Sequence, residues 1–185
     1  MERSHLDAEL SRLKHRPSGQ PVPLLGVFTV VPAANGFTYA ARIRELLLAA
    51  VSIARSADFD QDDVSPDSLP AWFLSHSTGE TSAENDDRAG SEGKASYERN
   101  RGERPWTAEE WLYCFDPDLR SWSWWDVTAD KDGHVRVWVD TKGEGHIPCE
   151  ELWWAVYVAG ASEVRTFTLE YASAWQEQQS LSEES

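Results

Sequence analysis

The chain has 185 residues, with 17 Lys plus Arg against 32 Asp plus Glu, a formal net charge of −15. A surface this acidic repels phosphate backbones and anionic bilayers, so neither nucleic acid nor a membrane surface is an expected partner. It attracts cations, which makes a basic protein the natural partner, and a 41% hydrophobic share with ten Trp, six Phe and five Tyr is enough for a packed core in one domain.

Residues 1–19 read as a helical or mobile arm, because Leu6, Leu10 and Leu13 recur at helical spacing before Pro17-Ser18-Gly19 interrupts them. Leu24 to Val31, between Pro23 and Pro32, is rich in branched and aromatic residues and predicts a buried strand. Asn35-Gly36 marks a turn. The recurrence of Ile43, Leu46, Leu47, Ala50, Val51 and Ala54 then predicts a long helix over about 39–57.

Asp58, Asp60, Asp62, Asp63 and Asp67 follow without a compensating base. They read as a solvated acidic loop, since they lack the glycine and terminal glutamate of a helix-loop-helix calcium site. Residues 77–104 contain no Ile, Leu, Val, Met, Phe or Trp. Ordering them costs roughly 1–2 kcal/mol per residue with little apolar burial to offset it, so a disordered acidic insertion is expected within a single α+β domain over 20–175.

Pro105-Trp106-Thr107 restarts regular structure, with Thr107 and Glu110 spaced as a capping box for a short helix ending near Asp116-Pro117-Asp118. A hairpin follows over about 121–141: Ser121–Thr128 and His134–Thr141 alternate around a 129–133 turn. Pairing Thr128 with His134 sets Trp122, Trp124, Asp126, Arg136, Trp138 and Asp140 on one face and a valine-rich set with Trp125 on the other. A two-residue shift keeps the same faces. Each tryptophan buries about 150–250 Å², worth roughly 4–6 kcal/mol, so the Trp face needs a cover, supplied either by the chain itself or by a partner.

A helix over about 149–160 and a strand over 164–171 complete the expected architecture: a mainly antiparallel sheet packed by the long N-terminal helix and the C-terminal helix. Residues 176–185 read as a disordered tail.

The chemical motifs fail one by one. Cys114, His134, His146 and Cys149 contain only one short-spaced pair, too little for structural zinc; Asp130-x-Asp132-Gly133 lacks both ends of a calcium loop and reads as the hairpin turn. Gly143-Glu144-Gly145 lacks the ending of a phosphate loop, and the His146/Cys149 spacing does not by itself make a nucleophilic pair. No cofactor, metal or catalytic residue is assigned.

The expectation is therefore a non-catalytic acidic protein that binds a cationic partner, an inhibitor or adaptor with the general character of small acidic bacterial immunity proteins or antitoxins, though no motif ties it to a family. Its binding residues would be Trp122, Trp124, Asp126, Arg136, Trp138, Asp140 and Glu144. The alternative is a small-ligand binder or enzyme using carboxylates beside the aromatic face, and a homodimer through that face is a third possibility. Two cysteines and the absence of an apolar opening segment suggest a cytoplasmic protein.

Overall fold

A strand bounded by prolines, Leu24–Pro32 (β1), occupies the middle of a six-stranded antiparallel sheet in the computed structural model, which describes residues 2–61, 63–77 and 86–181. The hairpin strands Ser123–Ala129 (β2) and Val135–Asp140 (β3) lie beside it, with β3 paired to β1 and β2 next outward. The other edge of β1 is covered in two pieces, by Thr168–Tyr171 (β5) along Leu24–Val27 and by Ala161–Val164 (β4) along Val30–Pro32. Gln179–Ser180 (β6) adds a short pairing to the far edge of β2.

One continuous strand over 164–171 was expected, but two form. Between them Phe167 swings over Gly26, where an added Cβ would lie 2.2 Å from its ring, and its ring centroid sits 4.8 Å from that of Phe28. The missing side chain at Gly26 is what admits the ring, and the strand breaks to place it.

The long helix Gly36–Ser56 (α2) starts at Asn35, whose side chain accepts the Thr38 N–H at 2.8 Å. Its buried stripe of Ile43, Leu46, Leu47, Ala50 and Val51 joins Phe28, Val30, Val135, Val137 and Val139 of the sheet in one core. Glu150–Val158 (α6) is buried on nearly every side and enters the same cluster. The short Ala108–Tyr113 (α5) carries the expected capping box: Thr107 Oγ1 accepts Glu110 N–H, and Glu110 Oε2 accepts Thr107 N–H.

The N-terminal segment is a docked helix, Glu2–Lys14 (α1), with Leu6 and Leu13 buried. At the other end Ala172–Gln176 (α7), β6 and the buried Leu181 are ordered, so the expected tail of 176–185 is corrected through residue 181; residues 182–185 lie outside the described residues.

The larger correction concerns 77–104. After a short helix Ala71–His76 (α3), residues 88–101 form Arg88–Arg101 (α4) on top of α6 and β4; residues 78–85 of the expected insertion lie outside the described residues. Large aliphatic side chains are not what holds α4. A Cβ at Gly93 would lie 1.9 Å from the Tyr157 carbonyl oxygen, so only glycine permits this approach, and Tyr97 is wholly buried with its ring 5.0 Å from Trp154. Close backbone contact and one aromatic ring replace the aliphatic stripe that the segment lacks. Asp87 caps the helix, accepting the Gly90 N–H at 3.2 Å.

A bulge redistributes the tryptophans. Near the turn Thr128 faces Arg136, Val127 faces Val137 and Asp126 faces Trp138, which is the two-residue shift that preserves the expected faces. The register then slips between Trp124 and Asp126, so Trp124 pairs with Val139 and turns into the main core. Trp125 moves to the opposite face, where it packs with Trp138, Trp175, Leu25, Val27 and Ala172 in a second, smaller core. Among the described residues, no helix is long and apolar enough to cross a membrane.

Candidate functional site

Of the residues expected to bind a partner, Trp122, Trp124, Trp138 and Asp126 are each 0% exposed. The chain itself covers the tryptophan face, so these rings are core and not an accessible surface. Asp126 is a structural anchor: it accepts Arg44 Nη2 at 2.9 Å, Trp175 Nε1 at 2.9 Å and Ser180 Oγ at 3.2 Å, tying β2 to α2, α7 and β6. Trp122 donates to Glu151 Oε1 at 2.6 Å. Arg136 lies near the hairpin turn, 3.7 Å from Asp130 Oδ2, and Glu144 is exposed on the loop after β3. Only Asp140 of the expected set lines a cleft beside α1.

Two adjoining clefts beside α1 share Leu6 and Pro117, and Arg136 lines a separate cleft with Asp130, Asp132 and Glu177. Both clefts beside α1 are built by the loop Asp116–Ser123. Asp116 Oδ1 accepts the Asp118 N–H at 3.0 Å, and the Asp116 carbonyl accepts the N–H groups of Leu119 and Arg120. This tight turn leaves Leu119 77% exposed while it sends Arg120 inward.

The first cleft, about 340 Å³, is acidic: Asp58 and Asp60 from the loop after α2 face Asp116 and Asp118 from the other loop. The Asp60 N–H donates to Asp58 Oδ1 at 3.1 Å. Arg55 also lines the cleft but is ion-paired with Asp7. Phe59, another lining residue, meets the half-exposed Tyr113 ring edge-on at 5.8 Å, so the carboxylates lie beside an aromatic wall.

The second cleft, about 440 Å³, carries mixed charge from Glu9 and Arg12 of α1, Arg120, Asp140 and Lys142. Glu9 is 1% exposed, pairs with Arg120, and accepts the Trp124 N–H at 2.6 Å. Arg12 Nε donates to the Trp124 carbonyl at 2.7 Å and Nη2 to Ser123 Oγ at 3.2 Å. Two helix side chains thus satisfy the backbone of β2 beyond the end of β6.

The polar groups of the hairpin turn serve the fold. Asp130 Oδ1 accepts the N–H groups of Asp132 and His134, and Oδ2 lies 3.3 Å from His134 Nδ1. These three residues have possible ligand atoms within 4.8 Å of one another, but their hydrogen bonds are those of the hairpin turn. Burial pushes the Cys149 thiol up to about 12 and the Cys114 thiol up to about 11, with Glu151 adding to both. Both thiols are therefore protonated near neutral pH and poor nucleophiles.

The acidic cleft joins residues some 58 positions apart, a proximity that the sequence does not signal. Its halves are visible separately as a run of aspartates and as Asp-Pro-Asp. The mixed-charge cleft has no comparable mark, because Glu9, Arg12, Arg120 and Lys142 are ordinary charged residues in sequence. Comparison with protein-family models, with curated proteins and with solved structures finds no match for this chain.

Proposed function

We propose that this is a non-catalytic acidic interaction protein that takes a basic protein partner at the cleft formed by Asp58, Asp60, Asp116 and Asp118. The observation that carries the proposal is the convergence of these four carboxylates from two separate loops beside Phe59, whose ring meets that of Tyr113, with the exposed Leu119 next in the chain after Asp118. A lysine or arginine entering there meets negative charge, an aromatic wall for its aliphatic stem and cation, and an apolar neighbour at the rim. The net charge of −15 would steer such a partner over longer distances at low salt. Masking a basic protein in this way is the action of an inhibitor, as of an immunity protein or antitoxin, or of an adaptor. Two free thiols suit a reducing cytosol.

The interaction surface is thus assigned to the loops flanking α1 in place of the buried tryptophans. The alternative of an enzyme or ligand site against the Trp122/Trp124/Trp138 face loses its aromatic walls to the core.

Calorimetric titration with decalysine tests the location. The D58N/D60N/D116N/D118N variant is expected to lose at least tenfold in affinity at low salt, while E92Q/E98Q/E163Q/E177Q, with the same net charge, loses far less. Equal losses would assign binding to overall charge and overturn the cleft as the site. A basic protein captured by the native chain, released by salt and not retained by the cleft variant would identify the partner. Light scattering of the free chain separates a monomeric inhibitor from a homodimer.

A further inference from the structure

The mixed-charge cleft is opposite in character to its neighbour and does not depend on the reading given to it. Residues 5, 8, 9 and 12 fall on one side of α1 and form its wall with Leu6 at the edge, while Leu10 and Leu13 pack inward. Glu9 and Arg120 neutralise each other as an ion pair. Arg12 and Lys142 then stand against Asp140 alone, leaving one positive charge in excess inside a strongly acidic protein.

The cations of the cleft use only part of their hydrogen-bonding capacity within the fold, and Arg12 also lies over the Trp125 ring at 5.2 Å. The Arg120 side chain is 4% exposed and its Nε and Nη1 are buried without a hydrogen-bond partner among the described residues, over the rings of Phe115 and Trp122 at 5.2 and 4.9 Å. Arg12 uses Nε and Nη2 on β2, which fixes the plane of its guanidinium and leaves Nη1 over. Lys142 Nζ donates once, to the Arg120 carbonyl at 2.7 Å. Lys142 also occupies a left-handed conformation, φ 55°, that a glycine would adopt more easily. The turn is held by the Lys142 N–H on Asp140 Oδ1 at 2.8 Å, which leaves Asp140 Oδ2 to accept another donor. A non-glycine residue kept in this conformation, with its ammonium directed back across the cleft to Arg120, points to a use for the charge.

We propose that this cleft binds a small hydroxycarboxylate monoanion, its carboxylate held between Arg12 and Lys142 and its hydroxyl donating to Asp140. The charge selects the ligand. One excess positive charge balances a monoanion, whereas a phosphate dianion would meet Glu9 and Asp140 without matching cations. A fixed guanidinium suits the planar carboxylate, and the unused oxygen of Asp140 favours a ligand with a donor next to that group. The volume of about 440 Å³ leaves room for a substituent against Leu6, Ala8 and Pro117.

The test is a nuclear magnetic resonance titration of the full chain with glycolate, acetate, glycine and inorganic phosphate at pH 8, where phosphate is mainly the dianion, and at constant ionic strength, following the amides of Ser123, Asp140 and Lys142. Glycolate is expected to give saturable shifts, with an affinity at least fivefold above acetate and glycine and tenfold above phosphate. Lys142→Gly should weaken glycolate at least tenfold while leaving the melting temperature unchanged or higher, because glycine accepts the same backbone angle without strain. Asp140→Asn keeps the turn-forming carbonyl oxygen and removes a negative charge, so it should narrow the preference for glycolate over phosphate. Absence of saturable glycolate shifts, phosphate as the tightest of the four, or undiminished binding by a folded Lys142→Gly protein would each overturn the proposal. Decalysine binding at the acidic cleft should be unaffected by Lys142→Gly, so failure of either site is scored separately.

Discussion

The hairpin β2–β3 and the helix α4 are both packed into the body of the protein, by opposite means. The hairpin buries itself with large rings: Trp124 goes to the main core, Trp125 and Trp138 to the smaller one, and a bulge decides which ring goes to which side. Helix α4 has almost no apolar mass and relies on closeness, with Gly93 against the Tyr157 carbonyl and Tyr97 between Trp154 and Tyr157. Apolar content therefore measures how much surface a segment can hide, while glycine and small residues measure how near its backbone can come. Dispersion contacts grow steeply with proximity, so a segment poor in aliphatic side chains still docks when it fits.

This contrast can be broken at either end. The largest effect is expected from Trp124→Ala, which removes a wholly buried ring and should cost about 3–5 kcal/mol in chemical denaturation. By comparison, Leu119→Ala on the exposed loop should fall within about 0.5 kcal/mol of the native chain, separating core aromatics from rim residues. If Trp124→Ala leaves stability unchanged, the hairpin is not packed as described.

Gly93→Val is the matching change in α4. A side chain there collides with backbone and not with a flexible tip, so α4 must move off α6 at a cost of about 1–3 kcal/mol. Hydrogen exchange should show faster exchange in residues 88–101 with the sheet still protected. An unaltered α4 would remove close approach as the reason the segment is ordered.

The smallest effect is in pH. Burial lowers the His76 pKa below its ordinary value, against the opposing influence of Asp87. Burial opposes ionisation of Asp87 too, but hydrogen bonds from Arg42, His76 and the Gly90 N–H outweigh it and bring its pKa below the usual carboxylate range. In both cases the native state binds fewer protons than the unfolded state, so both favour folding at higher pH. The His76 contribution should be lost as pH falls from above about 6.5 through its depressed native value, and the Asp87 contribution lower, from about 4 downward. Thermal melts of His76→Gln should show a weaker loss of stability than the native chain across the upper of these windows. An identical slope would remove His76 from the linkage.

How much of this was legible in sequence depended on whether the deciding contact was local. The stripe Ile43, Leu46, Leu47, Ala50 and Val51 specifies α2 because helical spacing alone collects it on one side. Thr107 and Glu110 close the α5 cap within one turn. The hairpin pairing near its turn kept the expected division into faces, up to the bulge at Trp125, which depends on what lies above and below each ring. The run Asp58 to Asp63 was visible as acidic, but its meeting with Asp116 and Asp118 requires the end of α2 and the loop after α5 to arrive at the same place.

The α+β class, the long helix, the central strand, the hairpin and the strong negative charge are legible in the amino-acid order, because periodicity, turn residues and ionisable groups act over a few residues or over the whole chain at once. Tertiary structure decided which tryptophans are core, that α4 is ordered, and where charge becomes a cleft. Those outcomes rest on contacts between segments far apart in the chain, where a single register slip or the absence of one Cβ changes what a residue meets.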